Sequence, residues 1–353
     1  MTDDLDAIAP VPPEAPKPRR KRRAAAAPGA PAVVPGDMPV RPLGQHAGVF
    51  HFLTARGEVS ALSAAQLERR SSLVALFTGD PDPLAWLRLI GPPATPRDDG
   101  FSPSAAADWL MARCGELPLF DPATPVRGYG TWRGPHGPVA HVGEALHHAG
   151  GRVEPAGTIA GGAIWPATHG RAAPAERAAD YEDVRDLLDA LARCWAWGRD
   201  TDPETLVGFV GQALLGEYPH WRTHLYVTGR RGSGKSALLR VLSAMAGGMS
   251  AGVKKGSTAA AVRQNSNGQA LLRIFDEAEA GSDRGAVEEL VALLRLQSDV
   301  GGAEVERGTA DHSGIRFRLF GAGALGSIIP ANMPPQDRSR FVFVTLRQRD
   351  ACD

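Results

Sequence analysis

The sequence predicts an α/β fold with a parallel-sheet core of the P-loop type, preceded by a helical bundle and a small α+β domain. Three observations predict it. A short apolar run at 224–228 (HLYVT) leads into Gly229-Arg230-Arg231-Gly232-Ser233-Gly234-Lys235-Ser236 and then into the helical pattern ALLRVLSAM. A second apolar run, at 270–275, ends in two acids, Asp276 and Glu277. A third, at 341–346 (FVFVTL), reads as a closing strand, so strands and helices alternate as a parallel sheet requires.

Length and charge set the outer bounds. At 353 residues the chain is long enough for about two domains of roughly 150 residues. Lys and Arg total 39, as do Asp and Glu, so no global field draws the chain onto nucleic acid or a membrane, and any polyanion site must be local. Cys114, Cys194 and Cys352 lie far apart without a CxxC pair, so neither a disulfide framework nor a zinc site is legible. No apolar run reaches 18 residues, and the first residues are acids and prolines. The expectation is a cytoplasmic protein without a membrane partner.

Along the chain, residues 1–40 are rich in Pro and Ala around one basic run, KPRRKRR, and hold too few large apolar side chains to offset chain entropy. They read as a disordered, solvated tail. Residues 41–170 alternate short strands (GVFHFLT, EVSAL, RGYGTW, GPVAHV) with helical stretches such as 102–114, where Ser102 suits a cap and Pro103 the first helical position. This predicts an α+β accessory domain whose histidines show no metal-binding spacing and whose Tyr129 and Trp132 read as core aromatics. In the next stretch, 171–222, a Pro/Ala/Arg linker at 172–179 precedes Val184, Leu187, Leu188, Leu191 and Trp195, spaced as an amphipathic helix over 181–197. A second helix over 203–215 starts from the cap-like Thr201 and Asp202, completing the predicted bundle.

The ATPase core is expected over 223–353. GxxxxGKS between a strand and a helix needs its glycines because the backbone must wrap phosphates closely, with successive N–H groups and the helix N-terminus turned toward them. Gly229, Gly232, Ser233 and Gly234 would form the cradle, Lys235 would reach the β- and γ-phosphates, and Ser236 would ligate Mg²⁺. Asp276 would hold the same Mg²⁺, and Glu277 would polarise an attacking water, which favours hydrolysis over transfer to a hydroxyl. Asn265, Asn267 and Asn332 begin no NKxD-type guanine reader, so the nucleotide expected is ATP.

Beyond Glu277 come a predicted helix (285–296), a β-hairpin (303–319), a strand (319–325), then Ser327 and Asn332, Asp337-Arg338-Ser339-Arg340 and the closing strand. This order over about 180–350 resembles the superfamily 3 helicases of the AAA+ class, in particular phage and plasmid primase-helicases, whose stretches look like FDEAE and DRSRF here. The resemblance implies an ATP-hydrolysing ring, hexameric by analogy, that translocates on single-stranded or forked DNA alongside replication proteins. It makes Arg307 and His312 of the hairpin the DNA contacts, Arg340 the arginine finger offered to a neighbouring subunit, and Arg338 its companion at the nucleotide. The family's asparagine at the end of the sensor strand is absent. Either Ser327 takes that role, or Asn332 reaches back, or hydrolysis is slow. A loader or transposition-helper ATPase without unwinding, and an ATP-dependent sensor or defence switch, remain the alternatives.

Overall fold

A computed structural model describes residues 36–93, 95, 100–276, 284–299, 303–308, 314–328 and 333–348, with the backbone alone for 284, 286, 303–308 and 314–316. Strands β1 (Arg41–His46), β2 (Val49–Leu53) and β3 (Val59–Ser63) form an antiparallel meander, followed by helices α1 (Ala64–Leu67), α2 (Arg70–Phe77), α3 (Pro83–Ile90) and α4 (Pro103–Glu116). Helix α4 starts where its cap predicts, with Ser102 Oγ accepting from Ala105 N at 3.3 Å and Pro103 in the first turn, where its missing N–H costs nothing. Phe52, Leu73, Phe77, Leu87 and Leu110 close a core drawn only from residues 38–114.

Strands β4 (Gly130–Gly134), β5 (Gly137–His141), β6 (Ala145–His148) and β7 (Val153–Pro155) make a four-stranded antiparallel sheet, and β8 (Thr158–Ala160) and β9 (Ala163–Trp165) a hairpin. Strands this short bury too little by themselves. Their core, Trp132, Val139, Leu146 and Trp165, is completed by Ala270 and Phe320 from far downstream. The stretch read as one accessory domain therefore carries two cores, one self-contained and one shared with the P-loop half.

Helices α5 (Tyr181–Cys194) and α6 (Asp202–Leu214) follow. They do not stand ahead of the P-loop core as a separate bundle: Leu191, Leu206, Phe209 and Val210 lie in the same apolar cluster as the P-loop helix. Thr201 makes no side-chain cap, and Asp202, fully buried, instead accepts from Arg199 Nε at 2.8 Å.

The remaining elements are β10 (His224–Gly229), α7 (Lys235–Ala246), β11 (Ser250–Lys255), α8 (Ala259–Ser266), β12 (Leu272–Asp276), α9 (Arg284–Gln297), β13 (Ala303–Gly308), β14 (Gly314–Leu319), β15 (Gly323–Ser327), α10 (Pro335–Arg338) and β16 (Phe341–Leu346). Five of the strands build a parallel sheet in the order β11-β12-β15-β10-β16. Helices cover both faces, so every residue of β10 is buried and its side chains sort by parity. Leu225 and Val227 pack with Leu238, Leu239 and Leu242 of α7, while Tyr226 packs with Leu290 and Leu294 of α9. The hairpin β13–β14 forms as expected, with Ala303 opposite Leu319 and Gly308 opposite Gly314. The strand expected at 319–325 is displaced toward Ser327, because Leu319 still belongs to the hairpin. Among the described residues no helix is long and apolar enough to cross a membrane.

Candidate nucleotide-binding site

The site stands at the C-terminal ends of the parallel strands, where strand β10 runs into the loop 230–234 and helix α7. Two glycines are required by contact. A Cβ on Gly229 would lie 2.5 Å from Leu346 O and 2.6 Å from Ser233 Oγ. Gly234 has φ of +89°, disfavoured for any residue with a side chain, and its Cβ would lie 2.7 Å from Trp195 Nε1. Gly232 sits in the loop's exposed stretch, also at positive φ. No side chain caps α7, so its first-turn amides remain available to an anion, with the helix dipole in support.

Lys235 opens that helix, and its Nζ donates to Gly229 O at 2.7 Å and Arg230 O at 3.1 Å, which holds the ammonium over the loop. Ser236, half-buried, follows in the first turn. Ser233 is buried, and its hydroxyl has no hydrogen-bond partner among the described residues. An orphaned hydroxyl, uncapped amides and a lysine in one loop fit a phosphate chain.

Asp276 ends β12 and is 5% exposed. Leu272 and Ile274, at the same parity, face α7, so Asp276 is turned toward the P-loop helix. A Cβ on Gly326 of β15 would likewise meet Leu239 Cδ1 of α7 at 2.7 Å and Asp276 Oδ1 at 3.6 Å. Strand β15 alone separates β12 from β10, two strand spacings or about 9.5 Å. One cation between Ser236 and Asp276 is compatible with that arrangement. Glu277, the next residue, lies outside the described residues, as do His312 and Asn332. Arg307 is placed only by register, opposite Ile315.

Three expected site residues are not brought to the P-loop of their own chain. Ser327 follows Leu325 in parity and so faces α9, away from α7; its buried hydroxyl hydrogen-bonds Tyr226 Oη at 3.0 Å. Arg338 and Arg340 precede β16, whose Phe341 pairs with His224 at the start of β10. The parallel sheet thus sets them at the opposite end of β10, five residue rises or about 16 Å from Gly229. Arg340 lies 5.1 Å from the Trp221 ring centroid and donates to Gln336 O, and Arg338 lies 5.1 Å from that of Phe343.

Sequence reading missed the wall opposite Asp276. Trp195 Nε1 donates to Gly234 O at 3.1 Å, Gly198 N to Thr345 O at 2.7 Å, and Arg347 N to Ala196 O at 2.7 Å. Residues 195–198 therefore lie along the end of β16 and press an indole against the GKS turn. The spacing puts Trp195 and Trp197 inside the helix predicted over 181–197, whereas the helix ends at Cys194 and Trp195 is extended, which frees its indole for the loop.

Deeper in the sheet, burial pushes His224 down to about 3, with the Arg222, Arg340 and Arg273 charges in the same direction. Gly323 N donates to its Nδ1 at 3.0 Å, so the neutral ring carries its proton on Nε2, toward Ser298 Oγ at 3.0 Å. Among the described residues no group of three or more His, Cys, Asp or Glu is placed to hold a metal.

No family model matches the chain, and no curated protein does. Among solved structures, SCCmec type IV Cch, described as an active helicase, is similar at 12% identity and a TM-score of 0.45, over 87% of this chain and 54% of that one. Two apo structures of the NrS-1 C-terminal region are similar at 11% and 12% identity with a TM-score of 0.38 for each; they match 87% and 85% of this chain and 59% and 56% of theirs. The chain spans a little over half the length of each.

Proposed function

We propose that the protein is an ATP-hydrolysing, Mg²⁺-dependent DNA translocase of the helicase type, acting as a ring on single-stranded DNA. The observation that carries this reading is the pairing of a glycine-cradled, uncapped helix N-terminus bearing Lys235 and Ser236 with a buried carboxylate, Asp276, turned to the same face of the sheet.

In this reading the loop amides and Ser233 bind the phosphate chain, and Lys235 leaves the Gly229 and Arg230 carbonyls to neutralise the β- and γ-oxygens. Ser236 and Asp276 would hold Mg²⁺, which would supply positive charge to neutralise the phosphates. Glu277 orients the attacking water. Arg340, held at the far end of β10 from its own P-loop, serves in this reading as the arginine finger of a neighbouring subunit's site, a role that contributes about 10³- to 10⁵-fold in rate. Arg338 would accompany it there. Arg307 and His312 are the DNA contacts of this reading.

Strand separation tests this function. The wild-type chain with ATP should unwind a forked duplex and Lys235→Ala should not. Hydrolysis without unwinding would move the assignment to a loader ATPase.

A further inference from the structure

A second cavity, of about 340 Å³, opens at the β11 edge of the sheet, and two strands separate it from the P-loop strand. Its walls come from both halves of the chain: Tyr129 and Arg171 from the N-terminal side, Lys254 of β11, Asn265 of α8, Gln269 ahead of β12 and Arg273 within it. Three of its described lining residues are cationic and none is acidic. The volume falls in the range of small-ligand pockets.

The charge at its base is unusual. Arg273 is 4% exposed, and its guanidinium meets only neutral acceptors: Ser266 Oγ at 2.6 Å, Gln269 O at 3.0 Å, Gln297 Oε1 at 3.3 Å, and the carbonyls of Leu271, Ser266 and Phe320. No carboxylate pairs with it among the described residues. A buried cation satisfied by hydrogen bonds but not neutralised leaves positive potential where water screens it least. Arg171 adds to that potential from the other wall. Its Nη1 is fixed to Gly248 O and Ser250 O at 3.0 and 2.8 Å, and its guanidinium lies 4.4 Å from the Tyr129 ring centroid. Lys254, exposed at the rim, is free to follow a ligand.

We propose that this cavity binds a phosphate-bearing ligand of mononucleotide size, either a free nucleotide or one nucleotide of a DNA strand. Lys254 and Arg171 attract the phosphate, Arg273 supplies unscreened positive potential behind it, and Tyr129, Asn265 and Gln269 offer a ring face and amides to the base. A ligand there touches the segment before the P-loop half and strand β11 together, and so ties the two halves.

The test uses the full chain with the P-loop saturated by ATPγS and Mg²⁺, titrated calorimetrically with 5′-AMP and separately with a short oligothymidylate. Wild type should bind one further equivalent of at least one probe. Lys254→Glu should weaken that binding at least tenfold, and Ala261→Trp, an exposed helix position that fills the cavity, should abolish it; neither should change ATPγS binding. A charge-sensitive oligothymidylate event without an AMP event assigns the phosphate to a DNA strand. No equivalent beyond the P-loop for either probe, or variants that bind as wild type does, overturns the proposal. Because the cavity contains no P-loop residue, Lys254-sensitive AMP binding would stand even if ATPγS did not bind.

Discussion

At the scale of single residues, Trp195 shows what a contact outside the motif contributes. Its indole both donates to Gly234 O and fills the space a Cβ there would need. Trp195→Phe keeps most of the packing and removes a hydrogen bond worth about 1 kcal/mol, so ATP affinity should fall about fivefold. Trp195→Ala should cost more, in affinity and in melting temperature. Equilibrium binding of a fluorescent ATP analogue measures both, and unchanged affinity in Trp195→Ala would remove the residue from the site. His224 gives the pH counterpart. It is neutral in the fold with its pKa lowered from 6.5 to about 3, so the unfolded chain takes up the proton first. Its contribution to stability is complete above pH 6.5 and is lost as pH falls toward 3, with a slope of about 1.4 kcal/mol per pH unit. Burial lowers His141 and His51 as well, and their contributions carry the same sign. Urea unfolding at pH 7 and pH 5 should show the loss in wild type and a shallower one in His224→Asn. Equal slopes would show that other groups dominate.

At the scale of elements, the readable ones were those whose termination chemistry is local. The P-loop strand, the closing strand 341–346 and helix α4 with its Ser102 cap form within a residue or two of expectation, because capping oxygens, prolines and apolar runs act over a few residues. The cap should be worth about 1 kcal/mol, and Ser102→Ala should lower the stability of the 38–114 core by that amount while leaving ATP hydrolysis unchanged. Denaturation followed alongside the ATPase rate checks it, and a parallel loss of hydrolysis would show the first core coupled to the site. Facing was less legible than existence. Ser327 reads as a sensor by its place at a strand end, yet one residue of parity turns it to Tyr226 and α9. Asp276 was legible as the acid ending an apolar run, but its facing was not: the β12 residues are all buried, and only the packing of Leu272 and Ile274 with α7 shows which way it turns. Gly326→Val tests the packing between them: the added branches would press on Leu239 and Asp276, and hydrolysis should fall well over tenfold in a chain that still folds. Wild-type rates would mean that Asp276 is not confined there.

At the scale of the whole molecule, contacts remote in sequence decide the layout, and these left no local trace. Trp132 closes its core with Ala270 and Phe320, Ala270 N donates to Tyr129 O at 2.8 Å, and Gly128 N to Gly268 O at 2.8 Å. The β4–β7 sheet is thus welded to the P-loop half, although the sequence predicts an accessory domain set off from it by the linker at 172–179 and the helical bundle. Nothing periodic marks such a seam, because each partner strand is too short to show a face. The same geometry separates Arg340 from its own P-loop, and the proposed function therefore requires an assembly in which a neighbouring subunit receives it. The most direct measurement is therefore the steady-state ATPase rate with and without single-stranded DNA, at a protein concentration high enough to assemble a ring, for wild type, Lys235→Ala and Arg340→Ala. DNA should raise the rate and both substitutions should abolish it, with the stimulation weakening steeply as salt increases. Hydrolysis indifferent to DNA, or undiminished in Arg340→Ala, would contradict the proposed function.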